Sequence, residues 1–418
     1  MRSTIGVAVA AGAAVLAGVP LACAQSGGGP VAQGERNAPE LEPAFPEQTR
    51  APEAASGLTL GVEEVAGGLE HPWGMAFLPD GALIVTERPG RMRIVSADGA
   101  VSEPLAGVPA VHAQGQGGLL DVAVGPDFEE DALVYWTYSK PLGDGLSATA
   151  VARGRLTEDR TAIEEATDIF VQTPPSPTAK HYGSRVLFDG DGVLYVTTGE
   201  HSRAEERGLA QDLAASYGKV MRLRPDGSAP PDNPFVGEPG AIEGIWSFGH
   251  RNVQGAAIHP GSGALWTVEH GPKGGDELNL PGPGLNFGWP EVSYGRDYDG
   301  SPVGSGVGSG LGFEEPVYFW DPVIAPGGMA FYSGALFADW QGDLLIASLN
   351  PGALVRLELD GTAGEAAGAQ PRVLGEERLL TDAGRIRDVE VAADGAVLVL
   401  TDADDGALLR LTPERTTN

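Results

Sequence analysis

A short turn-and-strand motif recurs six times along the chain and constrains the fold more than any other feature. In each copy a turn precedes about five apolar residues, as in residues 79–86, Pro-Asp-Gly-Ala-Leu-Ile-Val-Thr. The equivalent positions are Leu83, Leu133, Leu194, Leu265, Leu344 and Val397, so neighbouring copies are separated by roughly 50 to 80 residues. Self-similarity on this scale is typical of a fold built from repeated supersecondary units.

A second element, a glycine followed by apolar residues and an arginine, follows the strand in four copies, beginning at Gly90, Gly218, Gly352 and Gly406. Each such copy therefore supplies at least two antiparallel strands. The near-continuous apolar runs indicate sheets that are buried on both faces.

These repeats predict an all-β fold, a six-bladed β-propeller over residues 58–412. A strand near residues 58–65 is expected to join the last blade and close the ring. The 62 glycines, which show no Gly-X-Y period, also disfavour long helices. A twelve-strand sandwich is the weaker alternative, because it does not explain the repetition.

The charge and the motif content exclude several classes of function. The chain has 57 acidic and 27 basic residues, a net charge of −30, which disfavours nucleic acid and anionic lipid as partners. The single cysteine, Cys23, excludes an intrachain disulfide and any Cys-x-x-Cys site. No HExxH, G-x-S-x-G or phosphate-loop pattern is present.

The first 24 residues predict a secretory signal peptide, with Arg2 before an apolar run over residues 5–19. Cleavage after residue 24 and acylation of Cys23 as a lipoprotein anchor are both open. Either outcome predicts a periplasmic or extracellular protein, and no later stretch predicts a transmembrane helix. Residues 25–57, rich in Pro, Gly, Glu and Ala, are expected to form a disordered linker.

Arg385 and Arg387 enter a predicted strand two positions apart, which places them on one face about 7 Å apart. In an acidic protein such a pair suits a di- or tricarboxylate, held by forked hydrogen bonds. Structural ion pairs with acidic loops are an equally good explanation of the spacing.

A possible calcium site follows the fourth repeat strand. Glu269, Asp276 and Glu277 are hard oxygen donors, and the turn at Gly271 and Pro272 can expose two backbone carbonyls. The spacing is not that of an EF-hand, and a solvated acidic loop explains it as well.

His181 directly precedes a repeat strand, so it is expected at the mouth of the channel, where a neutral imidazole can act as general base. A purely structural histidine is the alternative. His71, His201 and His259 look like turn residues.

Seven segments in this order resemble the soluble PQQ-dependent sugar dehydrogenases, the glucose/sorbosone dehydrogenase family, and among them most closely the periplasmic aldose sugar dehydrogenases. The segments are residues 112–121, 180–186, 249–255, 269–272, 275–277, 286–290 and 385–388, and the resemblance extends from Leu58 to Leu411. It implies a six-bladed propeller that holds pyrroloquinoline quinone (PQQ) and Ca²⁺ over the channel.

The resemblance also implies roles for individual residues. His181 matches the catalytic base, and Arg251 and Asn252 match groups at the reactive edge of the quinone. The remaining matches are Gln116 (cofactor or substrate contact), Arg385 and Arg387 (PQQ carboxylates), Asp402 (a nearby acid), the carbonyls of Gly271 and Pro272 (cofactor Ca²⁺), and Glu277 with the carbonyl of Phe287 (a second, structural Ca²⁺).

Two positions depart from the family pattern. Lys180 stands where the glucose dehydrogenase has an acid, and Asn350 stands where it has a cofactor-binding lysine. Loss of that cation is expected to weaken PQQ binding by about 1.5–3 kcal/mol, the contribution of a charge-assisted hydrogen bond.

The resemblance and the residues together predict a dehydrogenase that oxidises aldoses to aldonolactones and passes electrons to an acceptor that the sequence does not identify. Two other hypotheses are a metal-dependent lactonase on a similar propeller and a non-catalytic propeller that binds a glycan or protein. The lactonase hypothesis gives Arg385 and Arg387 no role.

Overall fold

The computed structural model of the chain describes residues 28–361 and 371–414. The predicted signal peptide, with Cys23, lies outside the described residues, and so do the two interpretations of its processing.

The described residues form six antiparallel sheets, which we number as blades in chain order. Blade 1 contains β2 (Pro72–Phe77), β3 (Leu83–Glu87) and β4 (Arg91–Val95), and blade 2 contains β5 (Leu119–Val124), β6 (Leu133–Pro141), β7 (Ser147–Leu156) and β8 (Ile163–Val171). Blade 3 contains β9 (Gly183–Phe188), β10 (Leu194–Thr198), β11 (Lys219–Leu223) and β12 (Ile245–Phe248).

The second half of the ring follows the same order. Blade 4 contains β13 (Val253–Ile258), β14 (Leu265–Glu269), β15 (Asp276–Asn279) and β16 (Tyr318–Trp320). Blade 5 contains β17 (Pro326–Phe331), β18 (Leu344–Ser348), β19 (Ala353–Leu359) and β20 (Val373–Leu379). Blade 6 contains β21 (Ile386–Val391), β22 (Val397–Thr401) and β23 (Gly406–Pro413), with β1 (Leu60–Leu69) at its outer edge.

The six-bladed propeller prediction is confirmed. The first strand of each blade packs beside the first strand of the next, and β21 packs beside β2, so these strands line a closed ring. β1 pairs antiparallel with β23, with Val62 opposite Leu411, so the N-terminal strand closes the ring as expected. The helices of the described residues are short: α1 (Phe128–Asp131) and two 3₁₀ turns, Arg207–Ala210 and Ala338–Trp340.

The repeated motif forms the second strand of every blade. Its six equivalent positions are the first residues of β3, β6, β10, β14, β18 and β22. Every residue of β10, β14 and β18 is buried, because neighbouring blades cover both faces of the sheet. Large side chains such as Trp136 and Trp266 fill the space between blades and are fully buried.

The expectation of a disordered linker over residues 25–57 is wrong for its described part, residues 28–57. This segment packs on the outside of blades 4 and 5, where Val31, Ala38, Leu41 and Ala51 are buried. Its backbone also pairs with β20, since Ala54 N–H donates to the carbonyl of Glu376 at 2.9 Å. Composition is a poor guide here, because the segment uses the surface of the propeller as its core.

Among the described residues, none of the helices combines the length and the apolar character needed to cross a membrane.

Candidate active site

The predicted site residues meet at one mouth of the channel. Gln116, His181, Asn252 and Arg385 each lie within three residues of the start of a first strand. Because all blades repeat the same antiparallel order, these starts lie at the same end of the ring. The loops that follow the second strands reach the same end, and they carry Glu200, His270 to Pro272, and Asp402.

His181 is buried and held from both sides. Its backbone N–H donates to Oε1 of Gln116 at 2.7 Å, and its Nδ1 lies 2.7 Å from Oε1 of Glu200. The backbone takes the left-handed conformation, with φ of 47°. It packs so closely on Gly199 that a Cβ there would lie 1.9 Å from the His181 carbonyl oxygen.

The contact with Glu200 fixes the tautomer of His181. A carboxylate only accepts hydrogen bonds, so Nδ1 carries the hydrogen and Nε2 carries the lone pair. No described residue hydrogen-bonds to Nε2. Burial lowers the pKa of His181 well below 6.5, and Arg251 lowers it further. Burial raises the pKa of Glu200, and Arg251 opposes that shift. The imidazole is therefore expected to be neutral at pH 7, and its basic nitrogen Nε2 has no hydrogen-bond partner among the described residues.

Arg251 and Asn252 lie next to this histidine in the adjoining blade. The Arg251 guanidinium donates to the carbonyls of His270 at 2.9 Å and Gly271 at 2.5 Å, and its buried Nε has no hydrogen-bond partner among the described residues. Asn252 Oδ1 accepts the N–H of Gly183 at 3.0 Å. The side chain of Asn252 therefore ties the start of β9 to that of β13 and leaves its Nδ2 without a described partner.

The two arginines of blade 6 share one carboxylate. Nη2 of Arg385 and Nη2 of Arg387 each lie 2.8 Å from Oδ2 of Asp402. His71, which the sequence suggested to be a turn residue, contacts the other oxygen through Nδ1 at 2.9 Å. Burial alone would raise the pKa of Asp402, but Arg387 and the hydrogen bonds from Arg385 and His71 hold it below its ordinary value.

The arginine pair is connected to the rest of the mouth. Arg387 is buried and donates through Nη1 to Oε1 of Gln254 at 3.0 Å, two residues beyond Asn252. Its guanidinium also lies over the ring of Trp73, 5.6 Å from the centroid.

These donors fit a multiply charged anion. Two guanidiniums share the single carboxylate of Asp402, Arg387 Nε is buried without a partner among the described residues, and half of the Arg385 side chain is exposed. Such an excess of fixed donors suits a tricarboxylate, which forked hydrogen bonds bind well. The structural alternative accounts for the two ion pairs with Asp402 but leaves the buried Arg387 Nε without a partner among the described residues.

The loop after β14 presents the carbonyls predicted for the cofactor calcium. Gly271 is held by its N–H, which donates to Oδ1 of Asp276 at 2.8 Å. Its carbonyl oxygen accepts from Arg251, so this position already attracts a positive charge. Asp276 and Glu269, which the sequence offered as calcium ligands, instead bind protein: Asp276 Oδ2 accepts the N–H of Ala325 at 2.7 Å, and Glu269 Oε1 lies 2.8 Å from Nδ1 of His250.

Glu277 and Phe287 line one small pocket together with Arg251 and Gly271. Burial and the nearby Glu269 raise the pKa of Glu277 well above its ordinary value. A carboxylate so poorly compensated, beside backbone carbonyls, fits a bound cation. Among residues 28–361 and 371–414, no group of three or more His, Cys, Asp or Glu side chains is arranged to hold a metal, so a cation bound here would need backbone carbonyls among its ligands.

The two departures from the family pattern are both exposed. Lys180 points to solvent, and only its backbone carbonyl contacts the site, through Nδ1 of His201 at 3.0 Å. Asn350 is exposed in the loop that follows β18, one residue from Leu349, whose carbonyl accepts from Arg385 at 3.3 Å.

Sequence reasoning missed Glu200 and Trp289. Glu200 was missed because a single acidic residue after a strand does not stand out in a chain with 57 acidic residues. Trp289 lies between Arg251 and Arg207, whose guanidiniums are 5.1 and 5.6 Å from its ring centroid. Its position was visible only as part of the segment 286–290.

Comparison with known proteins defines the class to which this fold and this mouth belong. Residues 69–410 match the family model described as glucose / sorbosone dehydrogenase, so the chain belongs to that family. It is 42% identical over 362 residues to the aldose sugar dehydrogenase YliI of Escherichia coli strain K12, covering 86% of this chain and 94% of that protein.

Solved structures agree. The apo-form soluble aldose sugar dehydrogenase of Escherichia coli superposes with a TM-score of 0.79 at 41% identity, covering 85% of this chain and 100% of that one. The PQQ-bound aldose sugar dehydrogenase of Streptomyces coelicolor gives 0.68 at 32% identity, covering 85% and 99%.

Proposed function

We propose that this protein oxidises aldose sugars at C1 to aldonolactones, with PQQ and Ca²⁺ as cofactors and His181 as the general base. The observation that carries the proposal is the pairing of two features at one mouth: a neutral imidazole oriented by Glu200, and the donor-rich pair Arg385 and Arg387. The similarity to a PQQ-bound relative supports the choice of anion.

Arg385 and Arg387 would hold carboxylates of PQQ, and Gln116, Arg251 and Asn252 would contact its reactive edge or the sugar. The carbonyls of Gly271 and Pro272 would bind the cofactor Ca²⁺, and Glu277 with the carbonyl of Phe287 would bind a second one. When bound, PQQ supplies the acceptor for the C1 hydride, and Ca²⁺ polarises its quinone carbonyl.

The chain itself moves the proton. His181 Nε2 accepts the proton of the anomeric hydroxyl, while the hydrogen on C1 leaves with its electron pair and the C1–O bond becomes the lactone carbonyl. Glu200 stabilises the imidazolium that results, because its carboxylate accepts a hydrogen bond from Nδ1–H before and after the proton transfer. The hydrogen bond from the His181 N–H to Gln116 fixes the backbone, and the contact of Nδ1 with Glu200 orients the ring.

The predicted location outside the cytoplasm and the lipid-anchor alternative at Cys23 are part of this proposal. An enzyme that uses PQQ must be reoxidised by an external electron acceptor, and its identity is open.

The experiment is reconstitution. Purified apo-protein is titrated with PQQ in the presence of Ca²⁺, then a panel of aldoses is added, and the reduction of the bound quinone is followed by absorbance. We expect saturable PQQ binding at one site and a spectral change with aldoses. Absence of both would overturn the proposal, and hydrolysis of lactones without PQQ would favour the lactonase instead.

A further inference from the structure

The segment 28–57, which we call the N-terminal arm, hydrogen-bonds to one acidic side chain, Asp321, which packs against the candidate calcium loop. Asp321 is fully buried. Its Oδ1 accepts the backbone N–H of Asn37 at 2.8 Å and the Asn37 Nδ2 at 2.9 Å, and its Oδ2 accepts the N–H of Ala38 at 2.9 Å. Arg36 adds a cation, with Nε 3.7 Å from Oδ2.

The same carboxylate packs directly on the candidate calcium loop, residues 271–275. A Cβ on Gly274 would lie 2.6 Å from Oδ1 of Asp321, so the loop can approach only because this residue is glycine. Gly274 also has a φ of 83°, which favours glycine for a second reason. The adjacent Gly275 donates its N–H to the carbonyl of Trp320 at 2.9 Å, on the strand that leads into Asp321.

A second link runs from the arm to the other side of this loop. Glu40 forms an ion pair with Arg296, with Oε1 2.7 Å from Nη2. The backbone of Arg296 exchanges two hydrogen bonds with Lys273, at 2.8 and 3.0 Å. Lys273 directly follows Pro272, so the arm reaches the loop by two separate routes.

We infer that the N-terminal arm, through Asp321 and Glu40, positions the loop that presents the Gly271 and Pro272 carbonyls, and that cation binding there depends on the arm. The cation part of this inference rests on the proposed function. The arm, residues 28–57, lies outside residues 69–410, which match the family model, whereas its partners Asp321 and Arg296 lie within them.

The physical reason is the cost of leaving Asp321 without its donors. A buried carboxylate that loses its hydrogen bonds must be hydrated or move, and either change displaces Gly274 and the carbonyls next to it. Ca²⁺ needs its oxygen ligands at nearly fixed distances, so a displaced loop binds it less tightly.

The test compares two double variants of the arm that leave the loop sequence unchanged. Asn37→Ala with Glu40→Ala removes contacts of both routes. Ser56→Ala with Glu47→Ala is the matched control, because these side chains contact Glu377 and Arg372 on blade 5. Asp321→Ala serves as a stronger third variant.

Hydrogen exchange of the full-length apo-protein is the first readout. The amides of Gly271 and Gly275 are expected to exchange roughly tenfold faster in Asn37→Ala/Glu40→Ala than in wild type or the control, while the amides of β6 keep their rates. Equal rates in the two double variants would overturn the inference, even if Asp321→Ala fails to fold.

The second readout is the Ca²⁺ concentration that half-saturates PQQ binding, followed by absorbance without sugar. It is expected to rise by roughly fivefold to tenfold in Asn37→Ala/Glu40→Ala and to stay unchanged in the control. An unchanged value with normal PQQ binding would refute the cation part and leave the proposed function intact. If wild type binds no PQQ, the proposed function fails, and the exchange rates still decide whether the arm holds the loop.

Discussion

Replacing Glu200 by Gln tests the proposed base directly, because the substitution keeps the shape of the side chain and removes its charge. The Gln carbonyl can still accept the Nδ1 hydrogen of His181, so the tautomer survives. The interaction changes from a charged hydrogen bond of about 1.5–3 kcal/mol to a neutral one of about 0.5–1.5 kcal/mol once the imidazolium forms. A difference of about 1.4 kcal/mol corresponds to a kcat roughly tenfold lower.

The same substitution also shifts the pH dependence in a predictable direction. Burial lowers the pKa of His181, so the wild-type enzyme is expected to keep its base neutral below pH 6.5, with the acid limb of kcat/KM below that value. Removing the Glu200 carboxylate takes away a charge that favours the imidazolium, so the limb moves to still lower pH in Glu200→Gln.

The assay is steady-state aldose oxidation by the reconstituted enzyme over a range of pH, with PQQ binding measured separately. Glu206→Gln is the control, because Glu206 lies on the same loop but contacts Ser176 and Arg203 instead of the histidine. A kcat equal to wild type, or an acid limb that moves to higher pH, would refute the assignment of His181 as a base oriented by Glu200.

Three further substitutions test other parts of the structure. His181→Gln should retain PQQ binding and lower kcat by a factor of about 10² or more in steady-state rate measurements. The control His259→Gln, in a turn between β13 and β14, should leave kcat unchanged. Arg387→Met should weaken PQQ binding roughly tenfold to a hundredfold in an absorbance titration, and unchanged affinity would exclude an anion at this pair. Lys219→Met removes the ammonium donor from the carbonyls of Leu209, Ala210 and Tyr217, of which the first two keep a backbone N–H donor. It should lower the free energy of unfolding by about 1–3 kcal/mol in denaturant titrations, and Lys140→Met, at a partly exposed surface ion pair, should change it by less than about 1 kcal/mol.

The blade pattern could be predicted from the sequence because it depends on local chemistry repeated six times. In four of the six copies an Asp-Gly or Pro-Gly turn precedes the apolar run, and in all six the run forms a strand whose equivalent position begins the second strand of a blade. The arm over residues 28–57 could not be predicted, since its few apolar side chains find their partners on blades that lie far away in sequence.

The site shows the same division between local and distant information. Arg385 and Arg387 were visible as a pair because the alternation of a strand puts them on one face. Their shared partner Asp402 came only from the family resemblance. His71 lies in the turn between β1 and β2 as expected, but its contact with Asp402 could not be predicted, because it joins distant parts of the chain. Spacing alone also suggested that Glu269 and Asp276 are free to bind metal. In the structure, their carboxylate oxygens accept hydrogen bonds from backbone N–H groups.

One signal in the sequence could have identified Glu200. In blade 4, His250 and Glu269 are separated by 19 residues and in contact at 2.8 Å, and in blade 3 the same separation brings His181 to Glu200 at 2.7 Å. The repeat therefore builds the same histidine–carboxylate pair twice, from a residue before a first strand and one after a second strand.

What separates the two pairs is the other ring nitrogen of each histidine. Nε2 of His250 lies 2.8 Å from the hydroxyl of Ser247, and His250 is fully buried. Both ring nitrogens of His250 therefore have hydrogen-bond partners within the protein. Nε2 of His181 has no such partner among the described residues and remains free to accept a proton. The same arrangement thus has both nitrogens of His250 paired in blade 4, and in blade 3 it leaves Nε2 of His181 available for the proposed role as base.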